Sequence, residues 1–281
     1  MNIPLKTHGG KHYLARQIVE LMPRHTHYVE AYAGGLAVFF AKSCEGVSEV
    51  VNDLNGNLMN FWRVLQDRKA FVEFKRRVQA VPFSEVEWQD AEKALANSES
   101  SSTRTDRIER AVRFFILCRQ SMSGRCQDFA PITRTRTRRG MNEQASAWLK
   151  SIDGLLPVHA RLQRVVVLNR PAVEVIRSQD GPDTLFYLDP PYVPETRSPG
   201  EAFGQFDMTV AQHEELLEVI RDVQGKVMIS GYACDLYDSK LAKWHRHEFD
   251  LPNNAASGVL KRRMTEVLWA NFRARARKEA A

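Results

Sequence analysis

The tetrapeptide Asp189-Pro190-Pro191-Tyr192 puts a carboxylate, two prolines and an aromatic ring in consecutive positions. It follows the apolar run Thr184-Leu185-Phe186-Tyr187-Leu188, which predicts a buried strand. Asp189 is therefore expected at a strand's carboxyl end, where open α/β sheets hold their ligands. Proline has no N–H for a sheet ladder, so the pair ends the strand. Residues before proline are pushed to extended conformations, which fixes the direction of Asp189 and Pro190. A stiff turn presenting a carboxylate, a carbonyl and an aromatic face is a receptor for a flat group carrying an NH2. Typical residue frequencies make this tetrapeptide a chance event in on the order of one chain in a thousand.

A second signal is Glu30-Ala31-Tyr32-Ala33-Gly34-Gly35. A strand running into small residues and then a helix is a nucleotide-cradle geometry, because glycine lets a ligand approach the backbone closely. A glycine turn used only for packing fits the same residues. Asp53 follows about 20 residues later, in Val51-Asn52-Asp53-Leu54-Asn55. An acid at the end of a second strand suits ribose hydroxyls, and a helix N-cap is the other reading of Asp53.

The elements that must position these residues alternate. Strands are predicted at Tyr28 to Tyr32, Glu49 to Asn52, Arg164 to Leu168, Thr184 to Leu188, Lys226 to Ser230, His245 to Phe249 and Thr265 to Phe272. Helices are predicted from Lys11 to Met22 and from Thr209, with Gln212 in capping-box position, to a stop at Gly225. This alternation argues for a mostly parallel sheet covered by helices on both faces. A long interval between the second and third strands breaks it. Asn60 to Val81, Glu85 to Ala96 and Arg107 to Arg119 read as helical there, Ser98 to Thr103 as a mobile loop, and Arg134 to Gly140 as a polar basic loop. Between Ser101 and Val165 the chain carries 13 Lys and Arg against 5 Asp and Glu, whereas the whole chain is only +6. Almost all of that excess is arginine, which forks onto phosphates and guanine edges, so the interval reads as an inserted nucleic-acid-reading domain.

Other function classes find less support. No apolar run approaches the roughly 18 residues of a membrane helix, and the first residues lack a signal-peptide core. Cys44, Cys118, Cys126 and Cys234 show no close pairing and are expected as free thiols in a reducing compartment. His25, His27, His245 and His247 lack partners at metal-ligand spacing, so no metal is expected.

With these residues in place, the chain resembles the Dam-like DNA adenine-N6 methyltransferases of the α type. Leu5-Lys6-Thr7-His8-Gly9-Gly10-Lys11 is similar to the family's LKWAGGK motif, with Thr7 in place of the tryptophan. Tyr32-Ala33-Gly34-Gly35-Leu36 is similar to the FxGxG loop, with Leu36 in place of the last glycine. Asp53 matches the ribose-binding acid and Asp189 to Tyr192 the catalytic DPPY; Glu266-Val267-Leu268-Trp269 also fits related prophage-type enzymes. Asn169-Arg170-Pro171 stands where an acid often meets the cofactor's adenine.

The resemblance implies a Rossmann-like class I fold, a seven-stranded mixed sheet, with a mostly helical inserted target-recognition domain. The catalytic domain is expected at 1–62 and 164–281 and the insert at 63–163. S-adenosyl-L-methionine is the implied methyl donor, bound by Thr7, Lys11, Tyr32, Gly34, Asp53 and Asp189. The implied partner is double-stranded DNA, touched by Arg134, Arg136, Arg138 and Arg139, in a cytoplasmic, nucleoid-associated protein. Asp189 and the Pro190 carbonyl would accept the N–H bonds of a flipped adenine, Pro191 would stiffen the turn and Tyr192 would stack on the base. No Pro-Cys dipeptide precedes any of the four cysteines, which separates this reading from cytosine-C5 methylation. Cytosine N4, an RNA base or a glutamine amide remain alternative acceptors, and an inactive DNA-binding regulator of the same fold is a further one. The stretch from Val193 to Met208 is expected to act as a lid. The recognition sequence, the choice between monomer and homodimer, and any pairing with a restriction endonuclease stay open.

Overall fold

The computed structural model of the chain describes residues 3–6, 9–96, 103–196, 204–252 and 263–274. The expectations for Thr7, for most of the Ser98 to Thr103 loop and for the middle of the Val193 to Met208 loop lie outside the described residues. The chain begins with a 3-10 turn at Lys11–Tyr13, then α1 (Ala15–Leu21), β1 (His27–Glu30), α2 (Ala37–Ala41) and β2 (Ser48–Asn52). A helical stretch follows: α3 (Gly56–Gln66), α4 (Arg68–Ala80), α5 (Glu85–Ala96) and α6 (Arg104–Gln120). Next come β3 (Thr137–Arg138), β4 (Met141–Asn142), α7 (Glu143–Asp153), α8 (Leu155–Leu162) and β5 (Val166–Leu168). The remainder holds α9 (Ala172–Ser178), β6 (Thr184–Leu188), α10 (Val210–Asp222), β7 (Lys226–Tyr232), α11 (Asp235–Lys240), β8 (His245–Pro252) and β9 (Arg263–Ala270).

Seven strands form one mixed sheet in the order β5-β2-β1-β6-β7-β9-β8. β1 runs parallel to β2 and β6, and β6 parallel to β7, while β9 is antiparallel to both β7 and β8. This is the α/β, seven-stranded mixed sheet that the resemblance implied. Every residue of β6 is buried, as expected of a central parallel strand covered on both faces. Chain order turns back between β1 and β6, and the carboxyl ends of both strands open at this switch point.

The chain divides into two compact units. One comprises residues 16–33, 44–54 and 170–281; the other comprises 1–15, 34–43 and 55–169. The second is mostly helical and wider than the 63–163 expected for the insert. Its core explains why: Phe61 of α3 stacks on Phe115 of α6 at 5.7 Å and meets Phe74 of α4 edge-on at 5.8 Å. Trp148 of α7 closes on Phe115 at 5.2 Å, and its indole N–H donates to the Val81 carbonyl at 2.8 Å. An aromatic cluster of this kind carries α3 into the helical unit.

Three local expectations are corrected. The helix expected from Asn60 to Val81 is two helices. Asp67 ends α3 and caps α4, its carboxylate accepting from Ala70 N–H at 2.8 Å. The helix that opens on the Thr209/Gln212 capping box stops at Asp222, before Gly225. Gly225 instead lets the backbone pass Phe186, whose ring edge would lie 2.9 Å from an added Cβ. The basic segment expected as a loop is a hairpin, β3–β4, turned by Arg139 and Gly140 with φ of 53° and 73°. Two positive φ values in a two-residue turn match the twist of the flanking strands. Cys118 and Cys126, expected as free thiols, are both free, with their sulfurs 3.4 Å apart. Among the described residues, no helix is long and apolar enough to cross a membrane.

Candidate active site

The site grows from the carboxyl edge of the sheet. β1 and β2 end level with each other, with Glu30 opposite Val51. Asn52 is fully buried and braces this edge. Its amide N–H2 donates to the Ala31 and Arg170 carbonyls, each at 3.0 Å, and its side-chain oxygen accepts from Arg170 N–H at 2.9 Å. The Asn52 carbonyl accepts from Ala33 N–H at 2.8 Å. A buried amide with its donors and acceptor all engaged holds three chain segments in register. Asp53 follows directly and is half-buried. The alternative N-cap role is taken by Asn55, whose side chain accepts from Asn57 and Leu58 N–H.

Tyr32, also half-buried, faces the Asp53 charge. Burial first, then Asp53, then Glu215 push its hydroxyl far up, so it stays a neutral donor. Tyr237 is driven the same way by burial, then by its neighbours Tyr32, Cys234 and Asp189. Its hydroxyl pairs with His213 Nδ1 at 2.9 Å. Tyr32, Asp53, Asp189 and Tyr192 therefore belong to one unit and one sheet edge, as their spacing in the sequence implied.

Asp189 leaves β6 directly, and Pro190 behind it is buried. Its neighbour in the sheet, Tyr187, is buried with its hydroxyl 3.1 Å from Ser230 Oγ. Burial and the Asp189 charge push the Tyr187 phenol well up. Tyr192 turns its hydroxyl toward two acids. It donates to Glu266, and Asp189 Oδ1 lies 3.4 Å away. Its ring meets Tyr232 edge-on, centroids 4.7 Å apart at 76°. Burial, then Asp189, then Glu266 raise the Tyr192 phenol well above its ordinary value. The edge thus combines carboxylates with tyrosine hydroxyls that remain protonated. Such a set accepts N–H bonds and favours a cationic ligand. Asn52 and Tyr232 were not singled out by sequence reasoning, and Glu266 was noted only as the first residue of the Glu266-Val267-Leu268-Trp269 resemblance, with no role at the site. A further signal for Glu266 was an acid leading directly into the apolar run Val267-Leu268-Trp269-Ala270.

The remaining site expectations fall in the other unit. Lys11 is buried, and its ammonium donates to the Gly9 carbonyl at 3.1 Å. Gly34 has φ of 46°, a backbone conformation that suits glycine, although nothing within 4 Å would meet a Cβ there. Leu36 stands at the glycine position of the motif and keeps a left-handed backbone, φ 56° and ψ 34°, with its side chain wholly buried. Left-handed backbone costs a residue with a Cβ about 1–2 kcal/mol, and losing a buried leucine side chain about 2–5 kcal/mol. Leu36→Gly is therefore expected to destabilise the fold by about 1–3 kcal/mol, read from urea denaturation midpoints. Stabilisation by Leu36→Gly would contradict the packing role.

Of the four arginines between Arg134 and Arg139, the structure separates one. Arg139 donates from Nε to Ser146 Oγ at 3.0 Å and from Nη2 to the Ser146 carbonyl at 2.8 Å, and lies 3.7 Å from Asp153. These bonds tie down a residue with positive φ. Arg136 lies 4.0 Å from Glu143. Arg134 and Arg138 are exposed.

Comparison with known proteins adds the following. Over 233 residues the chain is 23% identical to the DNA N-6-adenine-methyltransferase of Escherichia phage P1, an alignment covering 79% of this chain and 28% of the phage protein. The chain thus spans little more than a quarter of that relative's length. A crystal structure of a SAM-dependent methyltransferase from Agrobacterium tumefaciens matches 92% of this chain and 59% of its own, at 10% identity and a TM-score of 0.36. The model of the D12 class N6 adenine-specific DNA methyltransferases matches residues 8–253, from before the glycine loop through DPPY to the end of β8. The chain belongs to the D12 class N6 adenine-specific DNA methyltransferase family.

Proposed function

We propose that the protein transfers a methyl group from S-adenosyl-L-methionine to the exocyclic amine of an adenine flipped out of duplex DNA. The observation that carries the proposal is Asp189 at the carboxyl end of β6, beside the switch point, with Tyr192 anchored next to it. The donor set suits the cofactor. Asp53 follows β2 at the position for ribose hydroxyls, with the neutral Tyr32 hydroxyl beside it, and Gly34 is a proposed contact by its place in the glycine motif. Lys11, in the glycine-lysine motif, and Asp189 complete the proposed contacts. When bound, the cofactor supplies an electrophilic sulfonium methyl.

The chain's own groups do the rest. Adenine's amino nitrogen is a poor nucleophile because its lone pair is spread into the ring. The Asp189 carboxylate and the Pro190 carbonyl accept its two N–H bonds, which localises the lone pair and aims it. Tyr192 offers its ring as a stacking face for the base. Positioning and electrostatics account for the acceleration, and no covalent nucleophile on the protein is required.

The helical unit, including 63–163, is the proposed DNA-reading part, with Arg134 and Arg138 as its contacts. Arg136 is a weaker candidate, and Arg139 holds the hairpin together. Arg134→Ala and Arg138→Ala are each expected to act in one of two ways. A phosphate contact weakens all sequences equally and lowers the salt slope by about 1; a base contact costs about 1–3 kcal/mol and relaxes one position of the site. Binding to substrate and scrambled duplexes across a salt series measures this. Parental behaviour of both variants on both duplexes at every salt would remove the hairpin from the interface.

The activity is tested by incubating duplex DNA with the protein and S-adenosylmethionine, then analysing nucleosides by mass spectrometry. N6-methyldeoxyadenosine is the expected product. N4-methyldeoxycytidine, or methylation of RNA alone, would move the reading to another NH2 acceptor. DNA binding without transfer would move it to an inactive regulator.

A further inference from the structure

Glu266 sits on β9, in a run where Val267, Leu268, Trp269 and Ala270 are all buried, and is itself only 8% exposed. A carboxylate in such a place is costly unless hydrogen-bonded. One partner comes from far along the chain: Tyr192 O–H donates to Glu266 Oε1. Glu266 stands opposite Tyr232 across the β7–β9 pair, and Tyr232 meets the Tyr192 ring edge-on. The Tyr192 ring is thus held at its hydroxyl by one strand and at its edge by the neighbouring strand. The same hydroxyl lies 3.4 Å from Asp189 Oδ1, so two acids flank one donor proton.

We propose that Glu266 is a positioning residue, a latch that holds the Tyr192 ring for base stacking and draws its hydroxyl proton away from Asp189. This rests on the adenine-methylation reading of the site. A phenol has one proton to donate. While Glu266 accepts it, the phenol does not compete with the target amine for Asp189 Oδ1. Without Glu266, Asp189 Oδ1 is an acceptor within reach of Tyr192 O–H, and the phenol then competes with the amine for the carboxylate. The ring also swings toward Asp189, out of the plane that Tyr232 and Glu266 define.

Four proteins are compared with the parent: Glu266→Ala, Glu266→Gln, Tyr192→Phe, and the Glu266→Ala/Tyr192→Phe double variant. The measurements are kcat and KM for methyl transfer, cofactor affinity by calorimetry, thermal midpoint, and fluorescence of 2-aminopurine at the target position. Glu266→Ala is expected to lower kcat at least tenfold and to reduce the fluorescence change on flipping, with cofactor affinity within about twofold. Glu266→Gln keeps an acceptor oxygen and is expected to stay within about threefold of the parent. In the parent, Tyr192→Phe removes the anchored hydroxyl and is expected to lower kcat, whereas in the Glu266→Ala background it removes the competitor and is expected to cost nothing further or to restore activity. Equal factors for Tyr192→Phe in both backgrounds would overturn the latch, as would a Glu266→Ala protein with parental kcat. If Glu266→Ala does not fold, Glu266→Gln decides: near-parental kcat supports the latch, and a loss as large as tenfold overturns it. An active parent with independent variants overturns the latch alone; a parent that transfers no methyl group to adenine overturns the activity and the latch together.

Discussion

Asp189→Ala is expected to lower kcat for methyl transfer by about 10²–10³-fold or more, the scale of removing one preorganised group that acts on charge in a transition state. The expectation follows from position. Asp189 is the first residue past β6, its backbone direction fixed by Pro190 and its side chain beside the Tyr192 hydroxyl at 3.4 Å. It is only half-buried, so its loss removes an acceptor and little packing. Thermal midpoint and duplex affinity should therefore stay near parental values while single-turnover methylation collapses. Turnover within tenfold of the parent would show that the amine is activated by other groups.

Asp53→Ala is expected to raise the dissociation constant for S-adenosylmethionine by the equivalent of about 1.5–3 kcal/mol, the worth of a hydrogen bond to a charged acceptor. This is roughly a 10- to 150-fold weakening at constant fold. The helix that follows β2 does not depend on Asp53, because Asn55 supplies its cap. Asn52 holds the surrounding backbone whether or not the Asp53 carboxylate is present. Calorimetric titration of the folded variant measures the effect, and unchanged affinity would remove Asp53 from the cofactor site.

What the sequence made legible was local. Asp189 and Asp53 each follow a short buried run, and a strand's carboxyl end is readable from the residues that precede it. The seven-stranded sheet followed from the same runs together with the motif resemblance. Contacts made over long sequence separations were not readable. Glu266 reaches Tyr192 across the sheet, and nothing near Glu266 in the sequence names its partner. Asn52 reads as one more strand residue until Ala31 and Arg170 are brought beside it. The hairpin from Thr137 to Asn142 was hidden because its turn is Arg-Gly, and the left-handed Arg139 is held by Ser146 from the following helix. Asp67 looked like a mid-helix residue because its two cap roles, ending α3 and starting α4, leave no glycine or proline as a marker. The inclusion of α3 in the helical unit depends on Phe61 meeting Phe74 and Phe115, a matter of packing that periodicity alone does not assign.

The central claim is that a carboxylate at the end of β6 directs a methyl group onto adenine N6. Its most direct test is a single-turnover reaction of the parent and Asp189→Ala proteins with duplex DNA and S-adenosylmethionine carrying a trideuterated methyl group, followed by nucleoside mass spectrometry. The parent is expected to yield deoxyadenosine carrying the labelled methyl on N6, and Asp189→Ala, still binding DNA and cofactor, to yield almost none. Label on deoxycytidine, or equal label on deoxyadenosine from both proteins, would contradict it.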